Sequence, residues 1–334
     1  MTAPATPQQL ASLVQEQQAA EAEALEEQTA TQADGGAAAA LAGLLAGVLA
    51  AWVAAFGALT VVGAWAKLAS LLAGVRRDVD GASRGLGRRS QRALEESLDG
   101  AARLGAQQAA DFLTRASGRD HAVPDVDVPE AALKAARGLA DAVATQLQLA
   151  ARLLSPWAVS GSGWRGVVLG LAAARRAVTL VRQTIAWAVH RAINDGAAQT
   201  ATHYGARALW VSEPDACVIC LAYAGRLADR DGRFPGGLSM DPHTRSTSRA
   251  ALDGPPAHVN CRCRLVPWMP DWDTGPGSLP DLLRDQAWRS IAAGGGRPSE
   301  SRAARRRAAQ ALLAQRGLSA RVRRQAAATA AGHT

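Results

Sequence analysis

Cysteine, lysine and aromatic residues are all scarce in this chain of 334 residues. It has 4 cysteines, 3 phenylalanines and 2 tyrosines, and its only lysines are Lys67 and Lys134. Four cysteines in so long a chain do not make a disulfide scaffold, so a reducing cytoplasm is the expected compartment. Ala and Leu are abundant and β-branched residues are few, which favours helix over most of the chain. The composition therefore predicts a mainly α fold.

Basic residues are absent from the start of the chain, and acidic residues are nearly absent from its end. Residues 1–34 carry six acids and no Lys or Arg, whereas residues 289–334 carry ten arginines against the single acid Glu300. The acidic start, with its late apolar run, does not fit a secretory signal peptide. Because the two ends differ in sign within a chain of net charge +8, we expect them to meet different partners.

No charged residue occurs from 35 to 66, a run long enough to span a bilayer, which needs about 20 apolar residues. One interpretation is a transmembrane helix with Arg76 and Arg77 on its cytoplasmic side. The other is a pair of buried helices in a soluble assembly, because Ala and Gly dominate the run and contribute little to insertion. Gly57 and Gly63 also offer places for a break. We expect the run to be helical, not to span a membrane, and to pack against another chain.

Three segments of the middle of the chain carry apolar residues at the three- and four-residue spacing of an amphipathic helix. They lie within residues 82–115, 133–154 and 171–192. These stripes predict core or helix-partner surfaces. No carboxylate pair or nucleophile–base pair stands out among them, and His190 and His203 have no acidic or cysteine neighbour at a useful spacing. We therefore predict no catalytic residues.

All four cysteines lie in one short segment, as the pairs Cys217 with Cys220 and Cys261 with Cys263. In a Cys-x-x-Cys loop both sulfurs point to one centre, and a second pair from a distant segment completes a tetrahedron around zinc. Cys261 and Cys263, two residues apart, would share one face of a strand. His258 lies three residues before Cys261 and could reach the same centre. Five candidates thus compete for four places in a Zn²⁺ site.

Two alternatives to a structural zinc are a disulfide and a catalytic zinc. Disulfides would be unusual inside a cytoplasmic particle, and ordinary buried cysteines would not gather in two such tight pairs. A catalytic zinc needs an open coordination position and a general base nearby, but Asp215 and Asp253 have no helical relation to the ligands. A nuclease that used His243 and His258 would need further histidines around a second metal. The pattern favours a zinc that closes a loop of about 40 residues in a region with little apolar core.

The predicted architecture is mainly α, with long helices followed by a small zinc-stapled α+β module and a basic helical tail. Residues 1–80 form an acidic and then apolar helical region, and residues 81–205 form the helical middle. Residues 206–272 form the Cys/His module, and residues 273–334 form the Arg-rich tail.

Around the cysteines the sequence resembles the carboxy-terminal signature of the tailed-phage minor head proteins, also called phage Mu F-like or head morphogenesis proteins. That signature joins a Trp, an Asp, Cys-x-x-Cys, a Gly turn, Phe-Pro and Pro-Pro-x-His-Pro-Asn-Cys-Arg-Cys to a short apolar strand that ends in Pro. The match covers about 60 residues, and Val259 stands where the family usually has proline. The matching residues are Trp210, Asp215, Cys217, Cys220, Gly225, Phe234, Pro235, Pro255, Pro256, His258, Asn260, Cys261, Arg262, Cys263 and Pro267.

The resemblance implies a non-enzymatic virion component, present in a few copies per head and acting in head assembly. It implies assembly in the host bacterial cytoplasm, with the portal protein and other head proteins as partners and no membrane contact. Some members carry fused toxin or protease domains, and no such domain is expected here. The alternatives are a zinc-dependent nuclease-like enzyme and a membrane-associated prophage protein.

The Arg-rich tail predicts a helix over residues 299–316. One interpretation is a solvated terminal helix. The other is contact with the phosphates of packaged double-stranded DNA, or docking on an acidic protein surface. No aromatic residue follows Trp288, so stacking on single-stranded bases is not expected. The arginines predicted to bind nucleic acid are Arg302, Arg305, Arg306, Arg307, Arg321, Arg323 and Arg324.

Overall fold

The computed structural model describes residues 3–57, 64–244, 250–296 and 300–332. It is 66 % helix and 4 % strand, which confirms a mainly α fold with a small sheet and a Cys/His cluster near the carboxyl end. The elements, in chain order, are α1 (Pro7–Ser12), a π-helical turn (Leu13–Gln18), α2 (Ala19–Asp34), α3 (Ala37–Phe56), α4 (Trp65–Ala82), α5 (Leu86–Ser117), α6 (Glu130–Leu153), α7 (Pro156–Ser160), α8 (Trp164–His203), β1 (Arg207–Val211), α9 (Val218–Leu221), β2 (Arg264–Trp268), α10 (Leu279–Ala292), α11 (Arg302–Leu312) and α12 (Ala320–Ala330).

The first helix is capped and anchored. The hydroxyl of Thr6 accepts a hydrogen bond from the backbone N–H of Gln9, and the Gln9 side chain accepts one from the backbone N–H of Thr6. This capping box satisfies N–H groups that have no partner inside the first turn. Leu10, Leu13 and Val14 are buried in a hydrophobic cluster with side chains of α5 and α10. The start of the chain is therefore part of a core that also contains its later helices.

The uncharged run is helical over α3, as predicted, and its residues 58–63 lie outside the described part of the chain. Glycines with left-handed backbone stand on both sides of α3, Gly36 at φ 85° and Gly57 at φ 66°, where a side chain would be strained. Among the described helices, α3 is long and apolar enough to cross a bilayer, with a mean hydropathy of 2.2. Only 17 % of that apolar window is buried. Its largest buried side chains are Leu41, Val48 and Trp52.

The three predicted apolar stripes lie on three long helices. In α5, the side chains of Leu94, Leu98 and Phe112 are fully buried. In α8, a helix of 40 residues, every stripe position from Leu171 to Ala192 is buried. In α6, half of the stripe is buried, as is Leu154 directly after the helix. These stripes are therefore core surfaces, as their spacing predicts.

Two glycines allow α5 and α8 to cross at very short range. A β-carbon on Gly105 would lie 1.8 Å from the carbonyl oxygen of Ile193, and one on Gly196 would lie 2.0 Å from that of Ala102. Both distances are far inside van der Waals contact, so only glycine fits at these two positions. The crossing fixes the last turns of α8, which lead directly into β1.

The chain divides into two compact units. The first contains Met1–Leu25, Leu98–Ala132 and Val189–Thr334, and the second contains Glu26–Ser97 and Leu133–Ala188. We call the first the cysteine unit, because it holds all four cysteines, and the second the apolar-helix unit, because it holds α3. The units do not follow the four predicted segments, since α2, α5 and α8 each contribute to both. The Cys/His module and the basic tail thus belong to one unit.

The cysteine unit has a core that the tail helps to form. Strands β1 and β2 pair antiparallel, with Trp210 opposite Leu265. These two residues share a hydrophobic cluster with Ile291 of α10, Leu312 of α11 and Val322 of α12. The expectation of little apolar core around the cysteines is therefore wrong. Apolar residues from the tail, which the sequence assigned to a separate segment, provide that core.

Candidate metal centre

An aromatic cluster supports the segment that carries the first cysteine pair. Trp210 of β1 is fully buried and stacks on Tyr223, with ring centroids 4.5 Å apart, while Phe234 meets it edge-on at 5.0 Å. The backbone N–H of Trp210 donates to the carbonyl of Arg226, and the backbone N–H of Gly225 donates to the carbonyl of Trp210. These bonds join β1 to the loop that follows the first cysteine pair.

The first cysteine pair sits at a single short helix. Cys217 is the extended residue before α9, and Cys220 lies within α9. The N–H of Leu221 donates to the carbonyl of Cys217 at 3.0 Å, which closes the turn. Cys220 is buried and Cys217 is partly exposed. One helical turn thus brings both sulfurs to the same side, as the Cys-x-x-Cys spacing predicts.

The remaining candidate ligands come from a tight turn before β2. The N–H of Cys261 donates to the carbonyl of His258 at 3.0 Å, and both Cys261 and Cys263 are buried. The strand begins only at Arg264, because its partner strand ends at Val211, which pairs with Arg264. The prediction that the two cysteines lie on a strand is therefore wrong, since they occupy the extended segment that leads into it.

The candidate ligand atoms converge. Nε2 of His258 lies 3.2 Å from Sγ of Cys217 and 3.1 Å from Sγ of Cys220. Sγ of Cys220 lies 3.6 Å from Sγ of Cys261. Two groups of three ligand atoms share Cys220, one with Cys217 and His258 and the other with Cys261 and Cys263, and within each group all atoms lie within 4.8 Å of one another. The structure thus brings all five predicted ligands together in a cluster that could hold a metal ion.

Hydrogen bonds among these side chains set their protonation. A bond from Cys220 and, more weakly, one from His258 lower the pKa of Cys217 to about 4, against the opposing effect of burial. Burial raises the pKa of Cys261, but bonds from Cys220 and Cys263 outweigh it and bring this pKa well below its usual value. The hydrogen bond between Cys217 and Cys220, which lowers the pKa of Cys217, raises the pKa of Cys220. Burial lowers the pKa of His258, and its bond with Cys217 outweighs burial and raises it. The cluster therefore favours thiolates beside an imidazolium.

Asn194 of α8 is a residue of this site that the sequence analysis missed. Its amide nitrogen donates to the carbonyl of Cys263 at 3.0 Å, and its amide oxygen accepts from the N–H of Leu265 at 2.8 Å. Asn194 is buried, so this pair of bonds holds the segment between Cys263 and β2 against α8. No spacing signal marks it, because a single Asn beside an apolar stripe resembles any polar helical position.

The acidic start of the chain also contacts this segment. The guanidinium of Arg262 pairs with the carboxylate of Glu23 at 2.8 Å. The buried guanidinium of Arg264 donates to the carbonyl of Gln18 at 3.0 Å. Some of the acidic start is therefore engaged within the chain itself.

The Arg-rich tail, residues 273–334, contains three described helices, α10, α11 and α12. The helix predicted over residues 299–316 is observed as α11, and residue 299 lies outside the described residues. Helix α12 follows it and packs against both α10 and α11. Ala308 of α11 and Ala326 of α12 are fully buried. The tail is thus packed on the cysteine unit along its apolar faces.

Arg305 is buried beside Cys217. It is 2 % exposed and forms an ion pair with Glu300, whose carboxylate also accepts from the N–H of Val218 at 2.7 Å. Its guanidinium donates in addition to the carbonyl of Ala216. The tail therefore holds the residues on both sides of Cys217. This placement corrects the prediction that Arg305 contacts nucleic acid, because its donors are used inside the fold.

Arg307 is held by a buried carboxylate. Its Nε and Nη2 donate to the two oxygens of Asp241 at 2.9 and 2.7 Å, and the Asp241 side chain is 0 % exposed. Burial tends to raise the pKa of Asp241, but hydrogen bonds from Arg307 and Thr244 outweigh it and lower this pKa to about 2. Asp241 in turn raises the pKa of Arg307. Arg307 thus links α11 to the loop after α9, which differs from its predicted role toward DNA.

The other predicted nucleic-acid ligands remain on the surface. All five are exposed, and one of them, Arg323, donates to the carbonyl of Leu313 at 3.0 Å. They are Arg302, Arg306, Arg321, Arg323 and Arg324.

The other histidines considered lie apart from the cluster. Among the described residues, His243 belongs to neither group of candidate ligands. His190 is buried in α8, and His203 packs edge-on against Tyr204 with ring centroids 4.8 Å apart. The structure therefore brings no further histidine into this site within the described ranges.

Comparisons with known proteins return no relative of this chain. No protein-family model, no curated protein and no solved structure matches it.

Proposed function

We propose that this chain is a minor capsid, or head morphogenesis, protein of a tailed bacteriophage and acts as a non-enzymatic component of the head near the portal. The observation that supports this most is the convergence of the signature residues. Cys217 and His258 are 41 positions apart, yet their ligand atoms lie 3.2 Å apart. Trp210 and Phe234, also signature residues, pack into one aromatic cluster beside them. If the sequence resemblance were due to chance, these residues would have no reason to lie close together in the fold.

We propose further that the cluster binds one structural Zn²⁺. Sulfur and imidazole nitrogen are donors that suit zinc, whereas Mg²⁺ and Ca²⁺ prefer oxygen. Zinc bonds of about 2.3 Å to sulfur and about 2.0 Å to nitrogen place tetrahedral ligands about 3.5 to 3.8 Å apart. The contacts of 3.1, 3.2 and 3.6 Å fall within a few tenths of an ångström of those edges. Cys261 shares no group within 4.8 Å with Cys217 or His258, so its side chain would have to move toward them to complete the tetrahedron.

The four ligands that we propose are Cys217, Cys220, His258 and Cys261. Three contacts of 3.1 to 3.6 Å join these four residues. Cys263 closes on Cys220 and Cys261 from the other side, and we assign it to support these ligands by hydrogen bonding. Second-layer partners of this kind orient metal ligands.

A structural role for the ion fits better than a catalytic one. Four protein ligands fill a tetrahedral shell and leave no position for water or substrate. The cavity beside the cluster has a volume of about 80 Å³, lined in part by Glu213 and Asn260. Ligand pockets are usually several hundred Å³, so this cavity is too small for a nucleotide. These features favour a zinc staple over a zinc-dependent nuclease.

We assign the exposed arginines of the tail to contact with packaged double-stranded DNA, and the protein to the virion. Five of these arginines, those predicted to bind nucleic acid and found exposed, offer planar forks that bind phosphate oxygens. The portal protein and other head proteins are the proposed protein partners.

The proposed function is tested in particles assembled from the phage genome that encodes this chain. We expect tryptic peptides of the chain in purified heads at a few copies per portal ring, and loss of DNA-filled heads when its gene is interrupted. Its absence from purified heads would contradict the proposal. Zinc-loaded protein that cleaves duplex DNA, with cleavage lost in Cys220→Ser, would favour the nuclease instead.

A further inference from the structure

Exposed large apolar side chains concentrate in the apolar-helix unit. The described residues include nine such side chains that are exposed, and only Val123 and Val259 belong to the cysteine unit. Globular proteins seldom leave a large apolar patch uncovered unless it meets a partner. The seven exposed side chains of the apolar-helix unit are Leu49, Val53, Trp65, Leu149, Trp157, Val168 and Leu169.

Six of these side chains, all except Leu149, lie on helices that also carry the aromatic residues of this unit. Trp52 and Phe56, in the last turns of α3, have ring centroids 4.8 Å apart, and Trp52 lies 5.7 Å from Trp164 at the start of α8. Helix α4, which begins at Trp65, packs against both α3 and α7. Trp157 of α7 is 83 % exposed and Trp65 is 54 % exposed. We call Phe56, Trp65, Trp157 and Trp164 the aromatic end, and the fully buried Trp52 packs against two of them, Phe56 and Trp164.

The segments that carry the aromatic end are rich in basic residues, and the nearest acid along α4, Asp78, lines a groove of α3 and α4 together with Lys67. Residues 35–77 and 142–188, which contribute α3, most of α4, α7 and most of α8 to this unit, contain no Asp or Glu. Lys67, Arg152 and Arg165 lie within a few positions of the exposed tryptophans and are themselves exposed. An apolar aromatic surface with a mainly cationic border is complementary to an anionic surface that has an apolar interior.

We propose that the aromatic end inserts into the interface of an anionic lipid bilayer. Indole rings settle at the level of the lipid headgroups, where one edge is apolar and the other is hydrated. Nearby Lys and Arg residues add attraction to anionic headgroups. The contact leaves α3 in its unit, because Leu41, Val48 and Trp52 stay buried there. This inference replaces the expectation of no membrane contact, keeps the expectation that the run does not span, and is independent of the proposed head role.

A second copy of the chain fits this surface less well. Two aromatic ends brought together would place Lys67, Arg152 and Arg165 of one copy against the same residues of the other. No acid from residues 35–77 or 142–188 is present to compensate them. Juxtaposed like charges oppose association, so a bilayer with anionic headgroups is the better occupant.

The experiment is flotation of the full-length protein with two kinds of vesicle, mixed phosphatidylglycerol–phosphatidylcholine and pure phosphatidylcholine. We expect binding to the mixed vesicles, retained in part at about 500 mM salt because apolar insertion is not screened. Trp65→Ser with Trp157→Ser should reduce binding at least ~10-fold, since two large apolar side chains are lost. Val123→Ser with Val259→Ser, which removes two exposed apolar side chains of the cysteine unit, should bind as wild type.

A second variant tests the basic border separately. Lys67→Gln with Arg152→Gln and Arg165→Gln should weaken binding to the mixed vesicles and leave any binding to pure phosphatidylcholine unchanged. The inference is overturned if the wild-type protein does not float. It is also overturned if the double Trp variant floats equally well, because the basic tail would then be the contact. Self-association of the wild-type protein without flotation, lost in Trp157→Ser, would assign the surface to a second copy.

Discussion

Arg305 and Glu300 form an ion pair whose side chains are only 3 % and 6 % exposed. The pair spans the backbone around Cys217, with Glu300 bound to the N–H of Val218 and Arg305 to the carbonyl of Ala216. One of the ten arginines of the basic tail is thus a structural cation. It couples the docking of α11 to the geometry of the Cys-x-x-Cys turn.

Replacement of Arg305 by Ala should destabilise the cysteine unit by about 3–5 kcal/mol, because Glu300 would be left buried without its partner. Arg306→Ala, at an exposed neighbouring position, should change stability by less than about 0.5 kcal/mol. Urea unfolding measures both changes. Trypsin should also cleave within α11 and α12 faster in the Arg305 variant. Equal stabilities of the two variants would show that the ion pair contributes nothing.

Purified protein should contain one zinc per chain by elemental analysis. Cys220→Ser should abolish metal binding, because Cys220 is common to both groups of ligand atoms. Cys263→Ser should retain the metal with lower affinity, since it loses a supporting contact. Structural zinc contributes on the order of 10 kcal/mol to the folding of small modules, so a chelator should lower the melting temperature of the cysteine unit. Full zinc in Cys220→Ser, or none in Cys263→Ser, would contradict the proposed ligand set.

Zinc affinity should rise with pH through the neutral range. The pKa of Cys220 and the pKa of His258 are both raised, so each of these groups must release a proton before it binds the ion. Calorimetric titration with Zn²⁺ at pH 7, repeated in buffers of low and high ionisation enthalpy, measures the number of protons released on binding. A titration that releases no protons would exclude these residues as ligands.

Acid should remove the contribution of Asp241. Its pKa in the folded chain is lowered to about 2 from the ordinary 3.8. A lowered carboxyl pKa stabilises the folded state above pH 4, and this stabilisation, about 2 kcal/mol, is lost as the pH falls from about 4 to about 2. The stability difference between wild type and Asp241→Asn should therefore shrink across that window in urea melts. Asp231→Asn, at an exposed position, should parallel the wild type throughout.

Gly105→Ala should destabilise the chain by about 3 kcal/mol or more, because its β-carbon would overlap a carbonyl of α8. Gly100→Ala, five residues earlier in α5, has open space around its β-carbon. It should stabilise the chain by up to about 1 kcal/mol through helix propensity. Thermal melts of the two variants measure this contrast. Opposite signs are expected, and two losses of equal size would show that α5 and α8 do not cross here.

Duplex DNA should bind the exposed face of the tail without base specificity. Five phosphate contacts give a salt slope of about −4.5, so affinity should fall about 500-fold between 50 and 200 mM salt. Converting Arg302, Arg306, Arg321 and Arg324 to Gln should reduce the slope by about 3.6. The control is Arg119→Gln with Arg230→Gln, two exposed arginines outside the tail. Unchanged binding by the quadruple variant would favour docking of the tail on protein.

The long helices were predictable because their apolar periods are regular over many turns, as in the stripe of α8 from Leu171 to Ala192. The convergence of the ligands was predictable for a different reason. Closely spaced Cys and His residues in two short segments, such as Cys217 with Cys220 and His258 with Cys261, are typical of a shared metal site.

The charge of the tail did not predict which of its arginines are buried in the fold and which are exposed. In the sequence Arg305 resembles Arg302 and Arg306, and only packing distinguishes the buried residue from the exposed ones. One signal was available, because Glu300 is the sole acid after residue 289 and a lone acid among arginines suggests a specific partner. Asn194 gave no comparable signal, since its role depends on two backbone groups about 70 positions away.

The cysteine unit is built from separate segments of the chain, and this determines the order in which the chain folds during synthesis. This unit joins Met1–Leu25 to Val189–Thr334, and its core includes Val322 and Ala326. A growing chain on the ribosome therefore presents Cys217, Cys220 and His258 before the helices that enclose them have been made. During this interval the thiols are open to oxidation or to any thiophilic ion. Capture of the native ion early in synthesis would protect them until α12 emerges.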